Sequence, residues 1–308
     1  MKIEMVDLDS QLEHIRPEAD AGIQRVLNNT NFIQGEEVSL FESELADWLG
    51  VKHVIGCANG TDALQLALMA LNLKPGDEVL VPTFTYVATA EVIALLGLIP
   101  IFVDVVEDTF GIDLSHAARE MSPRAKAIVP VHLFGQCSAM EELLEFAKVN
   151  DLFVVEDTAQ AIGSRFSFSN GNERFAGTIG DIGTTSFFPS KNLGCFGDGG
   201  ALFTNDDELA SKIRCIANHG QTRKYYHDDI GVNSRLDTIQ AAILRVKLPH
   251  LQGYCNSRAK AADFYDKAFA CCPSIVVPYR GLKSTHVFHQ YTIRIQFPYK
   301  RSELRDFL

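Results

Sequence analysis

The sequence predicts an α/β protein in which a mostly parallel sheet is covered by helices. Strand-like apolar runs alternate with amphipathic helical patterns along most of the chain, and this alternation is typical of βαβ units. The strand-like runs are apolar nearly throughout, which indicates strands that are buried on both faces. The length of 308 residues suffices for one large domain or for two of unequal size.

The N-terminal third supplies the first elements of this pattern. The run HVIGC at 53–57 is a predicted strand, and a glycine turn at Gly60 leads into an amphipathic helix that begins near Asp62. Residues 78–105 read as strand, helix and strand. This order is that of one βαβ unit.

The middle of the chain continues the alternation. Two more strands are predicted at 125–135 and 152–160, with a helix at 140–150 between them. A further strand at 200–206 precedes a helix that is stopped by Gly220. In such sheets ligands bind at the carboxyl ends of the strands, so the residues that follow each strand are the candidates for a site.

The pattern changes near residue 246, and this change predicts a domain boundary. We expect a large domain at 1–245 and the start of a smaller one at 246–308. The smaller domain is predicted to hold a helical stretch at 248–269, a loop near Pro273 and a strand at 289–297. It is expected to be incomplete at the end of this sequence.

Composition argues against several classes of protein. The formal net charge of −11 gives no basic footprint for nucleic acid. The longest apolar stretch, at 92–103, contains a Gly and a Pro and is too short to span a bilayer. The N-terminus lacks a signal pattern, and the seven cysteines form neither a disulfide framework nor a zinc motif. We therefore expect a cytoplasmic protein without a metal.

Lys191 lies in an unusual setting for a lysine. It stands between the aromatic pair Phe187 and Phe188 and a glycine-rich run, in the sequence SFFPSKNLGCFGDGG at 186–200. Removal of the amine from water would lower the pKa of Lys191, and a neutral amine can attack a carbonyl to form a Schiff base. The alternative is an ordinary solvated lysine, which would not need these neighbours.

Acidic and amide side chains follow the strand at 152–160. Four apolar residues run directly into Glu156 and Asp157, and Gln160 follows within one turn. A carboxylate in so apolar a setting needs a cationic or hydrogen-bonding partner. The alternative role for these carboxylates is to cap the next helix.

Two further candidates follow other strands. Gly60 and Thr61 lie at a predicted helix N-terminus, where free N–H groups and the helix dipole attract an anion, although Asn59 or Thr61 could equally be a plain N-cap. Tyr86 is predicted just beyond a strand end, where an aromatic ring can cover a planar ligand. Packing in the core is the alternative for Tyr86.

Together these candidates match the requirements of one cofactor. Pyridoxal phosphate needs a lysine for its aldehyde, a carboxylate for its ring nitrogen and a site for its phosphate. Lys191, Asp157 and the helix N-terminus at Gly60 would supply them. Each feature alone is weak, and their joint occurrence predicts a pyridoxal-phosphate enzyme.

The sequence resembles the fold-type I pyridoxal-phosphate enzymes, and within them the DegT/DnrJ family of nucleotide-sugar aminotransferases. The resemblance covers most of residues 1–250. It is carried by these blocks, in family order: ANGTDAL, TFTYVATAE, VPVHLFGQ, VEDTAQAIG, TSFFPSKNLGCFGDGGALFTND, NHGQ and GVNSRLDTIQAA.

The resemblance implies a role for each matching position. It implies the Schiff-base lysine at Lys191, the partner of the pyridine nitrogen at Asp157 and the ring-stacking aromatic at Tyr86. The other implied contacts are Gln160 to the 3-hydroxyl of the ring, Gly60, Thr61 and Ser186 to the phosphate, Asn233 to the phosphate of the neighbouring subunit, and His219 and Arg235 to the sugar nucleotide. The Asn233 match implies a homodimer with shared active sites.

The implied reaction moves the amine of glutamate, through the cofactor, onto a nucleotide-linked keto-sugar. The subgroup that the blocks resemble acts on UDP-2-acetamido-2-deoxy-3-oxo-glucuronate, for bacterial surface polysaccharides. Family dehydratases carry a histidine at the Schiff-base position, so Lys191 indicates an aminotransferase. A 4-aminotransferase of another UDP- or dTDP-keto-sugar and a non-catalytic sensor remain the alternatives, while a nucleotide-binding dehydrogenase lacks its glycine fingerprint here.

Overall fold

The structure, a computed structural model, describes residues 6–308. Its helices are α1 (Leu8–Asn29), α2 (Glu36–Leu49), α3 (Gly60–Ala70), α4 (Ala88–Leu95), α5 (Leu114–Glu120), α6 (Met140–Val149), α7 (Asp207–Ala217), α8 (Thr238–Lys247), α9 (Leu251–Phe269) and α10 (Arg301–Phe307). Its strands are β1 (His53–Cys57), β2 (Glu78–Pro82), β3 (Ile99–Val103), β4 (Ala125–Ile128), β5 (Phe153–Asp157), β6 (Arg165–Ser167), β7 (Glu173–Phe175), β8 (Ile182–Ser186), β9 (Gly200–Thr204), β10 (Gln221–Arg223), β11 (Tyr226–His227), β12 (Ile275–Val276) and β13 (Arg294–Ile295).

A seven-stranded sheet forms the centre, in the spatial order β1-β9-β8-β5-β4-β2-β3. The pairs from β8 to β3 are all parallel. Strand β9 pairs antiparallel with both β1 and β8. The sheet is therefore mostly parallel, as the sequence predicts, and strands β4, β5 and β8 present their carboxyl ends along one edge.

Apolar side chains that alternate along each strand fill the space on both faces of the sheet. Val155 of β5 packs in the cluster formed by α3, α4 and α7, whereas its neighbour Val154 packs in the cluster of α5 and α6. A third cluster joins α2, α8 and α9 to the β1–β9 side. Since successive residues of a strand point to opposite faces, continuous apolar runs are what this double covering requires.

The chain beyond α8 forms a smaller group of elements. The predicted boundary at 245/246 falls within the last turn of α8, and this boundary stays a prediction. The strand predicted at 289–297 is wrong in extent, because only Arg294–Ile295 pairs, with Ile275–Val276. Residues just before it bind the large sheet's loops instead, since Val287 N donates to Gly135 O at 2.8 Å.

None of the helices within residues 6–308 is both long and apolar enough to cross a membrane.

Candidate active site

A cavity of about 520 Å³ opens at the carboxyl ends of the parallel strands. The N-terminus of α3, the loop after β2, the ends of β5 and β8 and the segment after β8 form its walls. Seven of the residues predicted for the site line it: Gly60, Thr61, Tyr86, Asp157, Gln160, Ser186 and Lys191. The topology thus brings together side chains that lie far apart in sequence.

Lys191 lies in the connection between β8 and β9. Its backbone N–H donates to Phe188 O at 2.8 Å, which bends the chain so that both residues line the cavity. Phe187 points the other way, is fully buried and packs edge-to-face on Phe41 at 5.4 Å. Burial lowers the pKa of Lys191, and the nearby charge of Asp157 opposes part of that shift. The amine is therefore easier to deprotonate than a solvated lysine.

Glu156 and Asp157 are the last two residues of β5, but their side chains lie in different surroundings. Asp157 lines the cavity, and its carboxylate accepts from Thr89 Oγ1 at 2.9 Å and from Ala159 N at 3.1 Å. Glu156 points to the other face and is fully buried. The one-residue alternation along β5 thus assigns only Asp157 to the cavity.

The carboxylate of Glu156 finds all its hydrogen-bond partners away from the cavity. Its two oxygens accept from His132 Nε2 at 2.9 Å and from three backbone N–H groups, those of Gly177, Ile179 and Gly180, at 2.6–2.9 Å. These charge-assisted bonds lower the pKa of Glu156 although burial opposes them. Glu156 therefore holds the end of β5 to the loop that leads into β8.

The N-terminus of α3 forms the corner that was predicted to hold an anion. Asn59 is its N-cap and accepts from Asp62 N at 2.8 Å, so the plain capping role is correct for Asn59. The first N–H groups of the helix, those of Gly60 and Thr61, have no acceptor among residues 6–308. A Cβ at Gly60 would lie 2.7 Å from Ser186 Cβ, so glycine is needed for this close approach of helix and strand.

The remaining lining groups are compatible with a planar polar ligand. Gln160 Oε1 accepts from Phe134 N at 2.7 Å, which fixes the amide and leaves its NH₂ group as a donor. Tyr86 lies on the rim and is 71% exposed, so it does not pack in the core of this chain. Hydroxyl, amide, carboxylate and amine groups thus surround one cavity, and this set fits the aldehyde, ring and phosphate of pyridoxal phosphate.

Three predicted residues do not line this cavity in the single chain. Arg235 lines a separate cavity of about 520 Å³ bounded by α2, β1 and α7. Asn233 is exposed and forms an isolated bridge with Asn218. His219 has a positive φ of 59° and donates its N–H to Val232 O. The roles of these three residues stay predictions.

Sequence reasoning missed several lining residues. Thr85 precedes α4 and Thr89 lies in its first turn, and their hydroxyl oxygens lie 3.2 Å apart beside Tyr86. His289 had no local signal, because it comes from the distant segment that follows β12. Burial, together with the charges of Lys191 and Arg258, lowers the pKa of His289 to about 3. Its Nδ1 is buried without a partner among residues 6–308.

Within residues 6–308, no group of three or more His, Cys, Asp or Glu side chains is arranged to hold a metal ion.

A mostly parallel sheet, with a partly buried lysine and a strand-end carboxylate that line one cavity, is the arrangement expected of fold-type I pyridoxal-phosphate-dependent aminotransferases. Residues 13–308 match the model of the DegT/DnrJ/EryC1/StrS aminotransferase family. The chain belongs to that family.

Relatives with known names are similar over nearly the whole chain. The UDP-2-acetamido-2-deoxy-3-oxo-D-glucuronate aminotransferase of Pseudomonas aeruginosa is 47% identical over 95% of this chain and 80% of its own. A pleiotropic regulatory protein of Geobacillus stearothermophilus is 45% identical over 100% of this chain and 81% of its own. The crystal structure of S. venezuelae DesV in complex with a ketimine intermediate is 40% identical, with a TM-score of 0.94, over 99% of this chain and 80% of that one.

Proposed function

We propose that this chain transfers the amine of glutamate to C3 of UDP-2-acetamido-2-deoxy-3-oxo-glucuronate. The observation that carries the proposal is the partly buried amine of Lys191, with its lowered pKa, in a cavity that Asp157 also lines. The similarity to the Pseudomonas aeruginosa enzyme supports this substrate. The reaction would belong to the synthesis of bacterial surface polysaccharides in the cytoplasm.

In this proposal each of the lining residues contacts a different part of the cofactor. Lys191 would hold the aldehyde carbon, and Asp157 would accept a hydrogen bond from the ring nitrogen. The N–H groups of Gly60 and Thr61 and the hydroxyl of Ser186 would hold the phosphate, where the dipole of α3 favours its negative charge. The free NH₂ group of Gln160 donates to the ring hydroxyl, and Tyr86 covers one face of the ring.

Two residues do the chemical work that the cofactor depends on. When bound, pyridoxal phosphate supplies a carbon that carries the amine and a ring that withdraws electrons. Asp157 keeps a negative charge beside the ring nitrogen, which favours that withdrawal. The amine of Lys191 would move a proton at the substrate carbon, and burial, which lowers the pKa of Lys191, would favour its action as a base.

A dimer would complete the site. Asn233 is exposed and outside its own cavity, so it is free to contact the cofactor phosphate of a neighbouring subunit. His219 and Arg235 lie in the same part of the chain, and we assign them to the sugar nucleotide. Shared sites of this kind require a homodimer.

A regulatory protein is the second candidate, since the Geobacillus stearothermophilus relative bears that name. The retention of Lys191, Asp157 and Gln160 in one cavity favours an enzyme.

Two measurements test the proposal. Purified protein supplied with pyridoxal phosphate should absorb visible light, and glutamate should remove that band. The glutamate-treated protein should then aminate the UDP-linked 3-keto-sugar faster than a 4-keto-sugar. A colourless protein would favour the regulatory candidate. A preference for the 4-keto-sugar would overturn only the assignment of C3 and would leave the aminotransferase reaction in place.

A further inference from the structure

Two threonine hydroxyls connect Asp157 to the wall of the cavity. Thr89 is 1% exposed, and its Oγ1 lies 2.9 Å from Asp157 Oδ2. Thr85 Oγ1 lies 3.2 Å from Thr89 Oγ1, and Thr85 also lines the cavity. The three side chains form one continuous chain of oxygen atoms, which we call the threonine relay.

The direction of the hydrogen bonds in the threonine relay follows from the donor count. An ionised carboxylate only accepts, so Thr89 gives its single hydroxyl proton to Asp157. Thr89 then accepts from Thr85, whose own proton is used in that bond. The oxygen of Thr85 therefore meets the cavity as an acceptor.

The threonine relay also fixes the plane of the carboxylate. Asp157 Oδ1 accepts from Ala159 N at 3.1 Å, while Oδ2 accepts from Thr89. One donor belongs to the loop after β5 and the other to α4, so rotation of the carboxylate would break a charge-assisted bond on either side. Asp157 is thus oriented before any ligand enters.

We propose that Thr89 is a positioning residue for the cofactor, acting through Asp157. Its hydroxyl holds the carboxylate at the angle at which the carboxylate accepts from the ring nitrogen of pyridoxal phosphate. Thr85 supports Thr89 from the cavity side. This inference rests on the proposed role of Asp157.

A cofactor analogue separates this role from a structural one. In 1-deaza-pyridoxal phosphate a carbon replaces the ring nitrogen, so the analogue gains nothing from an oriented Asp157. Cofactor-depleted full-length protein is titrated with each compound. A net hydrogen bond of about 1 kcal/mol predicts that Thr89→Val weakens binding of pyridoxal phosphate about fivefold. Binding of the analogue should be unchanged, and Thr89→Ser should restore the affinity for pyridoxal phosphate.

Matched variants make the result decisive. Thr204→Val removes another buried hydroxyl, one that donates to Asp181 O at 2.9 Å far from the cavity, and it should alter neither affinity. Thr85→Val removes the outer hydroxyl from a less buried position and should cause a smaller loss, again with pyridoxal phosphate alone. This variant keeps the test open if Thr89→Val does not fold.

Four outcomes would overturn the inference. If Thr89→Val loses affinity for both compounds equally, Thr89 has a structural role. If both Val variants bind pyridoxal phosphate as the wild type does, the threonine relay does not position the carboxylate for the cofactor. If Asp157→Asn binds both compounds as the wild type does, the proposed role of Asp157 fails and the role of Thr89 fails with it. Equal binding of both compounds by the wild type would overturn the same two roles.

Discussion

Two lysines that are at least partly buried line two cavities to which the segment 188–196 contributes. Lys191 lines the large cavity, whereas Lys247 lines a cavity of about 150 Å³ that also contacts Cys195 and Phe196. Burial lowers the pKa of both lysines, that of Lys247 to about 8. The direction of the pKa shift alone does not distinguish the two amines.

Their partners distinguish them. Lys247 Nζ donates to Gln11 Oε1 at 2.9 Å and lies 4.9 Å from the centre of the Phe196 ring. Lys191 Nζ makes no such bond within residues 6–308, and it shares its cavity with Asp157. A lowered pKa marks a desolvated lysine, and only open space beside complementary groups marks a reactive one.

The strongest test of this difference applies the same substitution to both lysines. Lys191→Met should abolish the visible absorption of the cofactor-loaded protein and its turnover, because the amine is a covalent partner. Lys247→Met should keep the absorption band and most of the turnover. Folding of both variants is checked by circular dichroism. Retained turnover in Lys191→Met, without added amines, would refute the assignment.

A smaller loss is expected from Asp157→Asn, which preserves size and removes charge. A charge-assisted hydrogen bond is worth roughly 1.5–3 kcal/mol, so single-turnover rates with glutamate should fall about tenfold to a hundredfold. The visible band should remain. As a control, Asp113→Asn at the N-cap of α5 should have little effect, since Asn caps as well as Asp. Near-normal rates in Asp157→Asn would mean that Asp157 is not the cofactor's partner.

Asn233→Ala tests whether a neighbouring subunit completes the Lys191 cavity. We expect weaker retention of the cofactor on dialysis, and so partial loss of activity. Mixing this variant with Lys191→Ala should restore roughly one working site per heterodimer, since one site then contains both intact residues. Inactive heterodimers, once their formation is shown, would contradict shared sites.

The smallest effect is a pH dependence of stability in Lys247→Met. The unfolded lysine titrates near its ordinary pKa of 10.5 and the folded one near 8, so the unfolded chain binds more protons between these values. The wild type therefore gains stability as the pH rises from about 8 to 10.5, by up to about 3 kcal/mol. Lys247→Met lacks this gain. The unfolding free energy of each protein is measured at pH 7 and pH 10.5. The value for the variant minus that for the wild type should be larger at pH 7 than at pH 10.5.

The sequence was sufficient for those parts of the site that follow a strand directly. Parallel strands must present their carboxyl ends together, so the apolar run that ends in Asp157 indicates a lining residue, whereas Ser186 was expected only from the resemblance to the family. Position at the strand end does not by itself separate Asp157 from Glu156, because that choice depends on which face of β5 each residue meets; the expectation for Asp157 came from the match to the cofactor and to the family. His289 was not predictable, since it reaches the cavity through the packing of a distant segment.

The predicted strand at 289–297 illustrates the same limit. Alternating apolar residues there satisfy the pattern of a strand, but a strand also needs a neighbour with free backbone groups. The N–H groups of Val287 and Gln290 donate to the carbonyl groups of the loop at 134–135, so the segment pairs as a strand only from Arg294. The antiparallel direction of β9 was likewise not predictable, because the hydrophobic pattern of a strand indicates its burial but not its direction.

The alternation of Glu156 and Asp157 has a consequence for protein engineering. An insertion of one residue in β5 before Glu156 would move Glu156 into the place of Asp157 at the cavity, and a deletion there would move Asp157 into the place of Glu156, among the backbone donors of the Gly177–Gly180 loop. Such a change should cost both the fold and the cofactor site, whereas the exposed turn at Asn170–Gly171 offers a place for insertions that touches neither. Grafted peptides or tags should therefore be placed in that turn.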